Sequence, residues 1–306
     1  KIAKDSSAVF VELGINTRRN RATKSGESRD LWLDEKTGES VPHGLRIECE
    51  MRAKYQRGRQ SVHQYLRMTS IVNPHASISL VVRDRDGSVI EEGDWQRTTE
   101  RLPREVSEIR PHPHGIQLGS LQRMLRESDE RKLTSFLRHN FSGVSMRAAR
   151  EILAAAGLDE GRSPKRISAD DAQGMIAAFR KVKLLSPPTD CLSPIEDLLI
   201  KKGLSKAIDS RFASTITRSP KVTQGNPFQI EVGLVFGGDL SADGPIEVLR
   251  FANRVPLMYQ QGGCLLTKAL EAVDWKRYGL DHPGGKGIPK GPAAVLIHLA
   301  STNVQF

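Results

Sequence analysis

Hydrophobic and polar positions along the first part of the chain follow the two-residue alternation that is typical of β-strands. Residues 8–15 (AVFVELGI) are rich in β-forming side chains, and residues 45–51 alternate apolar side chains with Arg and Glu, as a half-buried strand does. The polar stretch between them, residues 17–38, predicts a flexible hairpin or loop. The pattern therefore predicts a largely β segment.

A helix is predicted over residues 61–72 (SVHQYLRMTSIV), where apolar side chains recur at intervals of three and four. Asn73-Pro74 ends it, because the residue before a proline disfavours helical backbone. Two short runs of β-formers, residues 78–82 and 88–90, then flank an Asp86-Gly87 pair, which is a hairpin signal. The side chains predicted to share one helical face are Val62, Tyr65, Leu66 and Thr69.

The next segment is helical. Residues 101–113 contain three prolines and predict an extended linker. Four helices are predicted after it, with Ser145 and Ser168 as N-caps, Asp171 three residues after Ser168, and Gly157 at a C-cap. Their predicted bounds are residues 120–126, 132–139, 145–156 and 168–181.

From about residue 189 the pattern returns to strands. Residues 228–236, 246–251 and 293–299 are predicted strands, and residues 264–273 predict a helix before the last of them. Two strands, a helix and a further strand are typical of an α+β layer or a βαβ unit. The predicted fold class is therefore α+β, with several domains.

The length, net charge and cysteine content of the chain limit the kinds of partner and compartment that fit it. The chain has 306 residues, which is long enough for two or three domains with their own cores, and its net charge of +10 favours nucleic acid first and acidic lipid second. No apolar run approaches the length of a membrane span, so no membrane partner is predicted. The three cysteines lie far apart without a CxxC pair, which argues against a zinc site or a disulfide scaffold and favours a reducing, intracellular compartment.

Three basic elements are candidates for contact with phosphates. The turn at residues 138–145 precedes a helix N-terminus, the WKRY stretch interleaves aromatic rings with cations, and Arg57-Gly58-Arg59 combines two guanidiniums with a turn. Each has a plain structural alternative: a solvated helix surface, an aromatic pair at the edge of the core, and an ordinary basic turn. The candidate DNA-binding residues are Arg57, Arg59, Arg138, Ser142, Gly143, Arg147, Lys165, Arg166, Trp275, Lys276 and Tyr278.

The remaining motifs predict no catalytic or metal residue. Gly284-Gly285-Lys286-Gly287 lacks the spacing of a phosphate loop and is followed by Ile288-Pro289 rather than by a helix. His112 and His114 could share a metal ion, but no third ligand is evident, so packing in a turn is favoured. No Ser/His/Asp signature, paired-carboxylate motif or dinucleotide motif is found, although spacing alone does not exclude a triad assembled in space.

Several stretches resemble the B subunit of topoisomerase VI, which is the ATPase component of the type IIB DNA topoisomerases, and the resemblance covers most of the chain. They are the stretch that begins at Gly44 (GLRIECEMRAKYQRGRQSVHQYLRMTSIVNPHA), PHPHGIQLG at 111–119, KVKLLSPPTDCLSP at 181–194, GNPFQIEVGLVFGG at 225–238, FANRVPLMYQQGG at 251–263, WKRYGL at 275–280 and HLASTNV at 298–304.

The resemblance implies three domains. Residues 1–100 resemble the later half of a Bergerat-fold (GHKL-type) ATPase domain, residues 101–189 a helix–two-turn–helix domain with a Pro-rich linker, and residues 190–306 a transducer domain with a ribosomal-protein-like α+β fold. The chain does not begin with Met, and it ends inside a sequence motif that is typical of the family. A B subunit truncated at both ends, with an incomplete transducer, is therefore expected.

The same resemblance implies how cofactors and partners are used. The family binds ATP and Mg²⁺ through a Glu-Asn-Asp helix, an Asp-x-Gly-x-Gly loop and a Gly-rich lid, none of which occurs in this sequence, and its γ-phosphate lysine would lie after HLASTNV. ATP and Mg²⁺ are therefore expected in the full-length protein, and no ATP hydrolysis is expected of this chain alone. The expected partners are double-stranded DNA, a second B subunit and the A subunit of topoisomerase VI, in an A2B2 heterotetramer located in the cytoplasm or nucleoid, or in a eukaryotic nucleus.

The implied role is to capture duplex DNA and to couple ATP-driven dimer closure to the DNA-cleaving A subunit during double-strand passage, which relaxes or decatenates DNA. Three DNA-contacting elements of the family map onto this sequence: the loop at 57–60, although the family more often has a basic residue where Gln60 stands, the turn around 142–147, and a Trp-Lys-x-Tyr motif at 275–278. The alternative is a non-enzymatic DNA-binding or adaptor protein that keeps the clamp scaffold without an ATP site.

Overall fold

The computed structural model describes residues 6–16, 21–35 and 37–304, which form two compact units divided between Tyr55 and Gln56. The first unit is built on a hairpin of β1 (Ala8–Asn16) and β2 (Arg21–Asp30), which pair antiparallel. The strand at 8–15 is confirmed, and the polar stretch predicted as a hairpin or loop supplies the second strand. Residues 17–20 and 36 of that stretch lie outside the described residues.

The strand predicted at residues 45–51 is wrong. These residues form no strand and are fully exposed along their length, with Leu45 at 82% and Ile47 at 79% of their maximal accessibility. Alternating apolar and polar residues indicate a segment that could be half buried in a sheet. A β-strand forms only when its backbone groups pair with those of a neighbouring strand. Among the described residues no strand pairs with this segment.

The second unit begins with α1 (Val62–Val72), β3 (Ile78–Arg83) and β4 (Val89–Trp95), and the predicted helix and hairpin are confirmed. Ser61 caps the helix, since its hydroxyl accepts a hydrogen bond from the Gln64 amide. The predicted helical face is wrong, because the buried side chains are Met68, Ile71 and Val72, whereas Val62 and Tyr65 are exposed. Apolar residues line more than one side of this helix, so their spacing does not identify the side that packs.

Four helices form the middle of the chain, as predicted: α2 (Leu118–Glu127), α3 (Leu133–Asn140), α4 (Met146–Ala156) and α5 (Ala169–Lys181). The caps are those expected: Ser145 accepts a hydrogen bond from the Ala148 amide, Ser168 and Asp171 form a capping box, and Gly157 ends α4 in a left-handed conformation. The helices enclose a core of their own. Its largest buried side chains are Leu121, Leu133, Phe136, Leu137, Phe141, Ile152, Leu153, Met175 and Phe179.

A mixed six-stranded sheet closes the chain, with β7 and β10 at its centre. Its elements are α6 (Asp197–Ala207), β5 (Phe212–Thr217), β6 (Lys221–Thr223), β7 (Asn226–Phe236), β8 (Glu247–Ala252), β9 (Val255–Pro256), α7 (Leu265–Glu271) and β10 (Ala293–Ser301). The strand order is β5-β7-β10-β8-β9, with β6 also paired to β7. Strands β8 and β10 run parallel with α7 between them in the chain, so the predicted βαβ unit is confirmed.

Helices pack on both faces of this sheet. Helices α1 and α6 contribute to one core with Leu249, Phe251 and Leu296, and α7 contributes to the other with Trp275. Helix α6 was not predicted, because its region was expected to contain only strands up to the helix at 264–273. The fold is α+β, as the sequence predicts, and no helix among the described residues is long and apolar enough to cross a bilayer.

Candidate nucleic-acid interface

The loop before α1 carries the first pair of predicted DNA-binding residues. Gly58 adopts a φ of +105°, which favours glycine, and it precedes the Ser61 cap of the helix. The Arg57 guanidinium donates to the carbonyl of Ile90 in β4 at 2.7 Å, so this cation is partly engaged within the protein. Arg59 is exposed, and it is the cation of this loop that is more available to a phosphate.

The turn between α3 and α4 contains Ser142 and Gly143. Gly143 has a φ of +72°, and a Cβ at this position would lie 2.3 Å from the carbonyl oxygen of Leu185, so only glycine fits. Ser142 is buried, its amide donates to Pro111 O at 3.0 Å, and its hydroxyl has no hydrogen-bond partner among the described residues. Both residues therefore have structural roles in the turn, and the exposed side chains beside it include residues of α3 and of α4.

Exposed cations lie on both sides of this turn, Arg138 near the end of α3 and Arg147 near the start of α4. Lys165 and Arg166 belong to a separate 3₁₀ helix, Pro164–Arg166. Arg147 at the start of α4 lies 3.3 Å from Glu151, and Lys165 lies 3.7 Å from Asp129. Ion pairs between exposed side chains contribute little stability, so these cations can exchange their carboxylate for a phosphate at small cost. Arg138 and Arg166 are exposed as well.

The Trp-Lys-x-Tyr motif forms a short 3₁₀ helix, Trp275–Tyr278, and its side chains divide between core and solvent. The indole of Trp275 is buried beside Leu270, and its Nε1 donates to the Leu270 carbonyl at 2.8 Å. The Tyr278 ring is 71% exposed and meets the indole edge-on, with 6.3 Å between centroids. Lys276 and Arg277 are exposed, so a contact with nucleic acid at this motif would be made by Lys276, Arg277 and Tyr278, supported by Trp275 from below.

The two histidines of the PHPH stretch are held by backbone groups. His112 is buried, its Nε2 lies 3.0 Å from Leu185 O, and its Nδ1 accepts a hydrogen bond from the His114 amide. The Nε2 of His114 lies 2.8 Å from Phe179 O. Burial lowers the pKa of His112, which keeps its ring neutral. These contacts match the packing role that was favoured over metal binding.

A buried polar network lies in the sheet, and the sequence prediction missed it. Glu231 of β7 is fully buried and its carboxylate accepts four hydrogen bonds, each of 2.7 or 2.8 Å. Burial by itself raises the pKa of Glu231, but the hydrogen bonds outweigh it and hold the pKa below its ordinary value. The donors are the amides of Ile195 and Glu196, the Thr217 hydroxyl and His298 Nδ1.

Arg254 extends the network beyond the sheet. Its amide donates to His298 Nε2 at 3.0 Å, which leaves the imidazole neutral with its proton on Nδ1. Its guanidinium donates to the carbonyls of Val72 and Pro194. A charged residue within an otherwise apolar strand, such as Glu231 in FQIEVGLVF, is the one sequence signal that could have indicated this network.

Comparison with known proteins shows similarity to one family. The sequence model for the transducer of the topoisomerase VI B subunit matches residues 187–306. The whole chain is 48% identical to the type 2 DNA topoisomerase 6 B subunits of Methanococcoides burtonii and Methanosarcina mazei, and 42% identical to that of Archaeoglobus fulgidus. It covers 47% of the first two proteins and 49% of the third, so it spans about half the length of these relatives. The chain is therefore similar along its whole length to topoisomerase VI B subunits, and its residues 187–306 match the transducer of that family.

Proposed function

We propose that this chain is the part of a topoisomerase VI B subunit that captures duplex DNA and couples ATP-driven closure of a dimer of B subunits to a DNA-cleaving A subunit. The observation that carries the proposal is the identity of up to 48% along the whole chain to proteins named as B subunits of type 2 DNA topoisomerase 6. Because the chain spans about half of those relatives, double-strand passage, with relaxation or decatenation, is proposed for the full A2B2 enzyme inside the cell.

Under this proposal the chain divides as the resemblance implies. Residues 1–100 are the later half of a GHKL-type ATPase domain, residues 101–189 a helix–two-turn–helix domain, and residues 190–306 a transducer. The separate core of α2 to α5 supports the second assignment, and the family match at 187–306 supports the third. Helix α1 packs with α6 on the sheet, so the part of the first segment that contains α1 is joined to the third.

ATP and Mg²⁺ are assigned to the full-length protein. The Glu-Asn-Asp helix, the Asp-x-Gly-x-Gly loop and the Gly-rich lid that hold ATP and Mg²⁺ in the family do not occur in this sequence. We therefore place nucleotide binding in the part of the B subunit that this chain does not span. Phosphate release above the background rate from the pure chain, with ATP and Mg²⁺ supplied, would contradict this assignment.

Charge is suited to DNA capture by a topoisomerase. Such an enzyme must hold many sequences, and phosphates are the same in all of them. The cations at Arg59, Arg147, Lys276 and Arg277 are exposed, and we propose that they contact phosphates without reading bases. We expect binding that weakens steeply with salt and shows little sequence preference.

The test is fluorescence anisotropy of the chain on a short labelled duplex across a salt series. The variant Lys276→Gln/Arg277→Gln removes two exposed cations of the Trp-Lys-x-Tyr element without touching the buried indole. The matched control is Lys201→Gln/Lys202→Gln, which removes two exposed cations from α6, a helix that packs on the opposite face of the sheet. Both variants have the same net charge.

The expected result is tight binding at low salt. The slope of log K against log salt should fall by about one for each phosphate that Lys276→Gln/Arg277→Gln no longer neutralises, and it should change little in the control. Equal effects of the two variants would mean that net charge alone attracts DNA and that the motif is no contact site. No binding at low salt would remove the proposal that this chain captures DNA.

A further inference from the structure

The two-residue turn between β8 and β9 has an unusual composition. Asn253 and Arg254 lie between the paired residues Ala252 and Val255, and their φ angles are +46° and +64°. These angles correspond to a type I′ turn, which needs positive φ at both positions and favours Asn at the first and Gly at the second. Arginine at the second position is conformationally unfavourable, so its side chain must supply something that glycine cannot.

Arg254 joins segments that are far apart in the chain. Its Nη1 donates to Val72 O at the end of α1 at 3.0 Å, and its Nη2 donates to Pro194 O, shortly before α6, at 2.8 Å. Asn73, just after α1, donates from its side chain to the Arg254 carbonyl at 3.4 Å. The arginine therefore holds the C-terminal end of α1 against the segment that leads into α6.

The guanidinium of Arg254 is incompletely satisfied by hydrogen bonds and ion pairs. The Nε of Arg254 is buried and has no hydrogen-bond partner among the described residues. No carboxylate of the described residues lies within salt-bridge distance of the guanidinium, and its charge is balanced only at longer range by Glu231 and Glu196. Arg254 is half-buried, and a partly desolvated cation without a directly paired carboxylate opposes folding, so its presence here indicates a positioning role.

Asn253 holds a different element, the end of β10. Its Nδ2 donates to Ser301 O at 2.9 Å, and the Ser301 amide donates to its Oδ1 at 3.0 Å. The side-chain amide thus imitates a backbone amide and continues the β8–β10 pairing to the last residue of β10. Ser301 is also tied to β7, since its hydroxyl donates to Pro227 O at 2.9 Å.

We propose that the Asn253–Arg254 turn is a positioning joint that couples the C-terminal end of α1 to the end of β10, so that displacement of one is transmitted to the other. The two residues are adjacent, and each holds one element through its side chain. The Arg254 amide adds a third connection through His298 to Glu231 and the start of α6. The joint rests on the proposed function in one respect, since it supplies the route by which closure in the ATPase segment would reach the transducer sheet.

The test is residue-resolved amide hydrogen exchange of the full chain and three variants. Arg254→Gly removes the guanidinium and suits the left-handed backbone, so the hairpin should remain intact. Asn253→Gly removes the side-chain pairing with Ser301 in the same conformational region. The matched control is Arg67→Gln, because Arg67 lies on α1 and donates to Ala207 O but does not contact the turn.

The joint predicts reciprocal effects. In Arg254→Gly, exchange should accelerate at least tenfold at the Asn73 amide, which closes α1, and also at the Ser301 amide, which Arg254 does not touch. Asn253→Gly should accelerate exchange at the Asn73 amide as well as at Ser301. Arg67→Gln should affect α1 and leave Ser301 unchanged.

Strictly local effects in both glycine variants would overturn the joint and leave two independent anchors. If Arg254→Gly does not fold, Arg254→Lys keeps the charge but can serve fewer of the same acceptors, and a smaller increase at both amides is then expected. Salt-dependent binding to the duplex is measured on the same variants. DNA binding with purely local exchange effects would refute the joint alone, whereas reciprocal exchange effects without DNA binding would refute the proposed function alone.

Discussion

Glu231 and His298 are cross-strand partners on β7 and β10, with 2.7 Å between Oε2 and Nδ1, and neither side chain is accessible to solvent. The imidazole is neutral, because its Nε2 accepts the Arg254 amide, so the pair is a carboxylate with a neutral donor. The carboxylate also accepts the amides of Ile195 and Glu196 just before α6. One buried charge thus connects the sheet to the start of a helix that packs on it.

Replacing this carboxylate by an amide should destabilise the protein strongly. In Glu231→Gln one acceptor oxygen becomes an NH₂ donor that faces groups which are themselves donors. Leaving buried donors unsatisfied costs about 1–3 kcal/mol for each group, so a loss of about 3 kcal/mol is expected. The measurement is urea unfolding followed by circular dichroism. Glu247→Gln is the control, since that side chain is more than one-third exposed and lies 3.8 Å from Arg67, and its loss should cost less than about 0.5 kcal/mol. Equal costs would contradict the prediction.

The same carboxylate should make stability depend on pH in the acid range. Its pKa in the folded protein is held below the ordinary 4.5, so the unfolded chain binds the proton more readily. The stabilisation is therefore fully present above pH 4.5 and is lost as pH falls through the folded pKa. Other carboxyl groups titrate in the same range, so the quantity to measure is the difference in unfolding free energy between the native chain and Glu231→Gln. That difference should shrink below pH 4.5, and a constant difference would contradict the assignment.

His112 should add a second dependence nearer neutrality. Burial lowers its pKa below the ordinary 6.5, opposed by the hydrogen bond to Leu185 and assisted by the nearby His114. Because the folded protein binds this proton less readily than the unfolded chain, stability is full above pH 6.5 and falls as pH drops below it. Thermal unfolding between pH 7.5 and 5.5 should show a smaller slope in His112→Gln than in the native chain. An equal slope in His112→Gln and in the native chain would contradict the prediction.

Trp275 should prove to be a structural residue of the Trp-Lys-x-Tyr element. Trp275→Phe removes the hydrogen bond to Leu270 O and leaves a small void, so a loss of about 2 kcal/mol is expected. Because the indole is buried, the affinity for the duplex should stay the same. The measurements are urea unfolding and duplex anisotropy on one preparation. Weaker duplex binding at every salt concentration, with unchanged stability, would show instead that the indole stacks on nucleic acid.

Features of the fold whose chemistry is local could be predicted from the sequence. The capping box of Ser168 and Asp171 and the left-handed Gly157 involve residues within one helical turn, so the pattern contains all that determines them. The helical bounds in the middle of the chain follow from these caps. The family resemblance is equally readable, because it rests on long stretches of sequence.

Features that depend on which distant segments meet could not be predicted. Glu231 and His298 lie 67 residues apart, and Arg254 reaches Val72 across 182 residues. The interleaving of Trp275 with cations left open whether the ring stacks on nucleic acid or closes the edge of the core, and only its packing in the fold shows that it is buried. The side of α1 that faces the core is likewise determined by its packing against α6. That helix was not predicted, because its region was expected to form strands.

The contact between α1 and α6 leads to the last prediction. Gly203 in α6 is buried, and a Cβ at this position would lie 2.2 Å from the carbonyl oxygen of Ile71 and 3.1 Å from its carbonyl carbon. These are backbone atoms of α1, so the two helices must separate to accept alanine. Gly203→Ala should therefore destabilise the protein by about 3 kcal/mol, the upper range for overpacking, although alanine favours helix.

The matched control is Gly174→Ala in α5, where the nearest neighbour of the added Cβ is Ala156 O at 3.9 Å. Both substitutions gain the same helix propensity, about 1 kcal/mol, so their difference in urea unfolding isolates the steric term. Gly174→Ala should be stabilising. If Gly203→Ala were stabilising too, α1 and α6 would not be in close contact, and the Arg254 joint, which holds the end of α1 against the segment before α6, would lose its support.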